Sequence, residues 1–142
     1  MKNTVNYAKA AFPAVSQNEA LARVLVTGFL IPLGVNPETL ADIKTCVSEA
    51  VTNAVVHAYR GTEEKGVVLE MKAYDDDTLT VRVSDKGKGI ADIEKAMEPF
   101  YTTDREGERS GMGLPIMQSF SEKLTILSSP KGTRVTMKMR LK

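Results

Sequence analysis

Three groups of residues have the types and spacing to do chemistry. The first is Glu49, Asn53 and His57, at i, i+4 and i+8. On a helix each step drifts by about 40°, so the three form one stripe. A carboxylate and an amide one turn apart suit a metal bound to phosphate. The Asn amide oxygen can ligate Mg²⁺, a hard cation that prefers oxygen, and the Glu can orient or deprotonate an attacking hydroxyl. The competing reading is a solvated helix surface. Against it, Cys46 and Val56 lie near the same face, and asparagine and threonine are mediocre helix formers to place mid-helix.

The second group is Asp85-Lys86-Gly87-Lys88-Gly89, after a strand pattern; the third is Gly111-Met112-Gly113-Leu114, opening a helix pattern. An Asp at a strand end can accept a hydrogen bond from an exocyclic amine. Glycines let a ring or a phosphate approach backbone, and a helix N-terminus offers free N–H groups to an anion. Each element alone also reads as an ordinary tight turn. No Gly-Lys-Ser/Thr follows, so this is not a P-loop, and no third glycine is spaced for a dinucleotide fingerprint. Together, residues 85–113 read as a nucleotide phosphate site with a mobile cover.

The elements that must hold these groups follow from periodicity and punctuation. Residues 4–11 alternate loosely and suit an edge strand that Pro13 ends. Ser16 with Glu19 makes a capping box for a helix with apolar Leu21, Val24, Leu25, Gly28 and Phe29. Asn36 caps a second helix with Pro37 at its first position. That helix extends to about His57 or Tyr59, with Leu40, Ile43, Val47, Val51, Ala54 and Ala58 as the core face. Strands over 66–74 and 78–84 join through Asp75-Asp76-Asp77. A short helix is expected over 91–98, loop over 99–110 and a helix from Gly113 to about Ser121. Strands over 123–128 and 133–141 turn at Lys131-Gly132. Alternation in several strands predicts a sheet covered on one face only. The expected fold is an α/β two-layer sandwich, a mixed, mostly antiparallel sheet with helices on one face.

Composition sets the outer bounds. A chain of 142 residues, 42% apolar and 26% charged, fits one domain over 1–142 with a real core. A net charge of +1 gives no reason to expect nucleic acid or a membrane surface. A lone Cys46 cannot form an internal disulfide, which points to a reducing compartment. With no apolar signal core near Met1 and an interrupted apolar stretch over 24–35, a cytoplasmic protein is expected.

Taken together, the motifs resemble a known superfamily: the ATPases and kinases that include the ATP-binding domains of gyrase, Hsp90, histidine kinases and MutL, with their Bergerat-type fold. Glu49-x-x-x-Asn53 resembles the N box, Asp85-x-Gly87-x-Gly89 the G1 box and Gly111-x-Gly113 the G2 box. More closely, Ser48-Glu49-Ala50-Val51-Thr52-Asn53-Ala54 and Glu108-Arg109-Ser110-Gly111-Met112-Gly113 resemble the bacterial anti-sigma serine kinases, nearest to the sporulation branch that acts on sigma F.

The resemblance implies a protein serine/threonine kinase using ATP, with ADP as its other nucleotide, and Mg²⁺. Asn53 would ligate the metal and Glu49 would act as base. Asp85 would bind the adenine amine, with Thr133 nearby. Gly87, Gly89, Ser110, Gly111, Met112 and Gly113 would make lid and phosphate contacts, Thr102 and Thr103 would belong to the lid, and Arg109 would reach the γ-phosphate. The implied partners are a sigma factor, an anti-anti-sigma antagonist as protein substrate and a second copy of the chain, with no direct nucleic acid and no membrane. Two other readings stay open: a general-stress anti-sigma kinase, and a nucleotide-gated sigma binder with little kinase activity. A histidine kinase fits poorly, because the single histidine, His57, lies in the nucleotide helix.

Overall fold

The computed structural model describes residues 2–58, 66–87, 97 and 113–142. Its elements are β1 (Thr4–Pro13), α1 (Asn18–Leu30), a 3₁₀ turn (Ile31–Leu33), α2 (Pro37–Asn53) continued by a π-helical turn (Ala54–Ala58), β2 (Gly66–Tyr74), β3 (Thr78–Asp85), α3 (Gly113–Phe120), β4 (Lys123–Ser129) and β5 (Gly132–Arg140). The short helix expected over 91–98 and the loop over 99–110 lie outside the described residues, save Met97 in a turn.

The five strands form one sheet in the order β1-β2-β3-β5-β4. Every pairing among the described strands is antiparallel, in keeping with the mostly antiparallel sheet that the sequence predicts, and no parallel pair occurs among them. Two hairpins, β2–β3 and β4–β5, join through β3 and β5, and β1 adds to the β2 edge. Alternation decides the faces. Leu69, Met71, Ala73, Leu79, Val81, Val83, Met137 and Met139 are buried, while their neighbours in sequence, the buried Thr78 apart, are more exposed. Against this apolar face lie Val26 and Leu30 of α1, Ile43, Val47 and Val51 of α2, and Met117 of α3. Each such side chain contributes about 1.5–3 kcal/mol on full burial. Helix α2 packs against both α1 and α3, so it is the central rod of the helical layer.

Helix α2 starts as its punctuation dictates. The Asn36 side chain accepts a hydrogen bond from the Thr39 N–H at 2.8 Å, and Pro37 occupies the first turn. Helix α1 starts differently from expectation. Ser16 makes no capping box: the N–H groups of Asn18 and Glu19 already bond to the carbonyls of Val15 and Ser16. The orphan donors that a side chain would cap are taken by backbone.

The buried face of α1 also differs. Ala22, Val26, Phe29 and Leu30 face the core, whereas Leu21 and Val24 are 41% and 67% exposed. The helix is apolar on two sides, and its second side opens beside β1 onto a groove lined by Tyr7, Ala8, Ala10, Val24, Gly28 and Phe29.

Candidate functional site

Two separate meetings of elements build the site. The first brings the last two turns of α2 to the first residue of α3. Glu49 and Asn53 are half-buried on α2, and both side chains point at Gly113. A Cβ added to Gly113 would lie 3.1 Å from Glu49 Oε2, 3.3 Å from Asn53 Oδ1 and 3.5 Å from Asn53 Nδ2. The carboxylate and the amide therefore converge on a helix N-terminus whose first residue has no side chain to block them. Free N–H groups at such an end attract an anion. A carboxylate, an amide oxygen and backbone donors there can together hold a hydrated cation and its phosphate.

Thr52, the other mid-helix polar residue, has a structural explanation. It is buried, and its hydroxyl donates to the Ser48 carbonyl at 2.7 Å. Asn53 and Glu49 remain as the polar pair turned toward α3. On the α1 side, Arg23 Nη1 donates to Ser48 Oγ at 3.1 Å and ties the two helices beside Glu49.

The second meeting is at the end of β3. Asp85 pairs with Thr133 across the β3–β5 ladder. Its Oδ1 accepts the Gly87 N–H at 2.9 Å and the Thr133 N–H at 3.3 Å. Thr133 is buried, and its hydroxyl lies 2.9 Å from Ser128 Oγ on β4. Burial raises the Asp85 carboxyl above the usual carboxylate range, and the two N–H groups pull against that shift. Among the described residues the carboxylate is thus held by one oxygen, and it is partly desolvated, a setting that favours a further donor on the other oxygen.

Gly132 makes this corner possible, a role beyond the turn expected of it. Its φ is +147°, and a Cβ there would lie 2.2 Å from the Asp85 carbonyl oxygen. Only glycine allows β5 to start so close to Asp85. Ser128 is the other contributor not foreseen; it faces Thr133 only because β4 and β5 are paired.

Cys46 is buried near Glu49. Burial, then the negative charges of Asp42 and Glu49, push its thiol up to about 12. It is a packing residue with no reactive thiolate at neutral pH.

The structure thus groups Glu49, Asn53 and Gly113 at one place and Asp85, Gly87 and Thr133 at another. Gly89, Thr102, Thr103, Arg109, Ser110, Gly111 and Met112 lie outside the described residues. No cluster of three His, Cys, Asp or Glu side chains suited to a metal occurs among the described residues. No described helix is long and apolar enough to cross a membrane.

This architecture has counterparts in known proteins. Residues 12–139 match the histidine kinase-like ATPase domain. The chain is 52% identical to the anti-sigma F factor of Lysinibacillus sphaericus over 126 residues, 88% of this chain and 86% of that protein. It is 47% identical to the anti-sigma F factor of Caldanaerobacter subterraneus subsp. tengcongensis over 134 residues, 93% and 92% of the two chains. Among solved structures, the RsbU and RsbW domains of a Mycobacterium tuberculosis protein share the fold. The TM-score is 0.72 at 20% identity, over 96% of this chain and 33% of that one. On the extent of the domain match and the identity to these relatives, the chain belongs to the histidine kinase-like ATPase domain family and, within it, to the anti-sigma F factors.

Proposed function

We propose that this protein is a cytoplasmic anti-sigma factor, a single ATP-binding kinase domain that sequesters an RNA polymerase sigma factor of the sporulation sigma F type. It is also a Mg-ATP-dependent serine kinase that phosphorylates its own anti-anti-sigma antagonist. The observation that carries the reading is the convergence of Glu49 and Asn53 on Gly113 at the start of α3.

The residues fit the nucleotide and metal. The Asn53 amide oxygen would ligate Mg²⁺, a cation that usually keeps several waters and needs only one or two protein ligands. The space that a Cβ on Gly113 would fill suits that requirement. Asp85, anchored through one oxygen by Gly87 and Thr133, would take the adenine amine. Mg-ATP would supply the γ-phosphoryl group, whose bond to the β–γ bridging oxygen breaks as the bond to the serine oxygen forms, with ADP as the leaving group. Phosphoryl transfer then rests mainly on positioning and charge neutralisation. Glu49 would accept the proton of the antagonist's serine hydroxyl. The N–H groups at the start of α3 and Arg109 would steady the negative charge. Gly89, Thr102, Thr103, Ser110, Gly111 and Met112 would complete the lid and phosphate contacts.

The phosphoserine adds nearly two negative charges at neutral pH, which weakens the antagonist's hold on the kinase and leaves the sigma factor sequestered. A homodimer joined through the open apolar side of α1 and through β1 would present the sigma-binding surface. The exposure of Val24, Leu21, Val5 and Tyr7 supports that placement.

The test is incorporation of γ-labelled phosphate from Mg-ATP into candidate antagonists, with wild type and Glu49→Ala. Serine labelling by wild type alone, with ATP binding retained in the variant, is the expected result. Sigma binding by both proteins without labelling would make the chain a nucleotide-gated binder and remove the base from Glu49.

A further inference from the structure

The net charge of +1 conceals a segregated surface. The helices cover one face of the sheet. On the other face, β3, β4, β5 and the adjoining edge of β2 carry Lys72, Arg82, Lys123, Arg134, Lys138 and Arg140. Their neighbours in sequence, such as Val81, Val83, Val135, Met137 and Met139, point into the core. Register places these cations in rows. Lys72 stands opposite Thr80, Thr80 opposite Lys138, and Lys138 opposite Lys123. Arg82 stands opposite Thr136, which stands opposite Thr125, and Arg134 stands opposite Ser84.

Among the described residues, compensation on this face is partial. Glu70 pairs across from Arg82, and Glu122 at the margin lies 3.1 Å from Arg140 Nε and 3.8 Å from Lys138 Nζ. Arg82 Nε is buried with no hydrogen-bond partner among the described residues. Cations interleaved with hydroxyls are the side chains that contact phosphate. The face has little of the apolar centre that protein partners use; Leu127 is the one large exposed hydrophobic residue on these described strands. On β3, β4 and β5 this face carries no aromatic ring on which an unpaired base could stack; the exposed Tyr7 of β1, opposite Lys72, and Tyr74 of β2 lie at its far side. No described element projects from it to enter a groove and read bases.

We infer that the β3, β4 and β5 part of the helix-free face binds the phosphate backbone of duplex DNA without reading its sequence. The choice of DNA over duplex RNA rests on the proposed role against a polymerase subunit that works on DNA; the binding chemistry does not. Such contact would hold the inhibitor near the template on which its sigma factor acts, at the weak affinity of non-specific binding.

The test is fluorescence anisotropy of a labelled duplex of about 20 base pairs with the full chain across a salt series. Expected is a Kd of roughly 10⁻⁵–10⁻⁴ M near 0.1 M salt, with log K falling against log salt at a slope of about −3. The pair Lys123→Ser with Arg134→Ser should flatten that slope by about 2, at roughly 0.9 for each phosphate no longer neutralised. Lys44→Ser, on α2 in the other layer, should leave it unchanged. Absence of binding near 0.05 M salt, or an equal effect of Lys44→Ser, overturns the inference. So does tighter binding of duplex RNA, of poly-glutamate or of anionic vesicles, each of which would name a different occupant. None of these arms uses an antagonist or a sigma factor, so a preparation that labels its antagonist yet ignores DNA loses this inference alone.

Discussion

Glu49 Oε2 stands where a methyl group on Gly113 would be only 3.1 Å away. The carboxylate of one helix is thereby fitted to the missing side chain of another. Gly113 is the first residue of α3, where alanine would ordinarily favour the helix by up to about 1 kcal/mol over glycine. The position forgoes that gain and leaves the space between Glu49, Asn53 and the helix end open.

Gly113→Ala should therefore separate stability from activity. The methyl must push Glu49 and Asn53 by a few tenths of an ångström, and both are half-buried side chains that can give. Thermal stability should change by less than about 1 kcal/mol in either direction. Phosphotransfer to the antagonist should fall tenfold or more, equivalent to about 1.4 kcal/mol of transition-state stabilisation. Parallel melting curves and single-turnover labelling check this; wild-type rates in the variant would mean that the space at Gly113 is not used.

Asp85→Asn tests the second corner. An Asn Oδ1 can accept the same two N–H bonds from Gly87 and Thr133, so the fold should persist. In the wild type, burial raises the Asp85 carboxyl above its ordinary value of 3.8. The folded state then binds the proton more tightly than the unfolded chain. Its contribution to stability is greatest below that ordinary value and is lost as pH rises through the folded-state value. At neutral pH the ligand-free wild type carries the full burden of the anion, and the variant does not. Melting temperature at pH 7 should be equal or higher in Asp85→Asn, with the difference shrinking toward acid. ATP affinity should fall at least tenfold, about 1.4 kcal/mol, because an amide NH₂ meets the adenine amine as a second donor. Calorimetric titration with ATP decides it: undiminished affinity would remove Asp85 from adenine recognition.

Part of this arrangement is legible in the sequence alone. Asn36-Pro37 announces α2 because cap and first-turn chemistry are local, and the alternation in β3 and β5 gives their buried faces because strand period is local too. The Glu49–Asn53 spacing places both side chains on one stripe for the same reason. Helix α1 resists because two of its sides are apolar: Leu21 and Val24 compete with Ala22 and Val26, and only the neighbouring β1 and α2 settle which pair is buried. Gly132 and Ser128 owe their roles to cross-strand approach, which no spacing in the chain encodes. The same holds for the cations opposite the helices, whose sum with distant acids is nearly zero.

The open side of α1 makes its own prediction. Val24 is 67% exposed beside the groove against β1, so a carboxylate there should cost the folded monomer little. Wild type should sediment at twice the 15.5 kDa of the chain. Val24→Asp should sediment as a monomer with its melting temperature nearly unchanged at matched, high dilution. A variant that remains dimeric would move the interface elsewhere.

Gly132→Ala should be the most damaging of these substitutions. At φ +147° an L-residue is strained whatever the space, and here the methyl would also sit 2.2 Å from the Asp85 carbonyl oxygen and 2.9 Å from the Lys86 Cα. Both obstacles are backbone, which cannot rotate aside as a side chain can. Either β5 shifts at its first residue or the end of β3 moves, and in both cases Thr133 leaves the Asp85 carboxylate. Destabilisation of roughly 2–4 kcal/mol is expected, from strain at a special backbone geometry and the loss of a partly buried hydrogen bond. Urea melts give the magnitude. At temperatures where the variant is still folded, its ATP affinity should be reduced as in Asp85→Asn while Glu49 and Asn53, on the other corner, keep their place. A variant that melts like wild type would show that the β3–β5 corner yields without strain, and that Gly132 is a turn residue only.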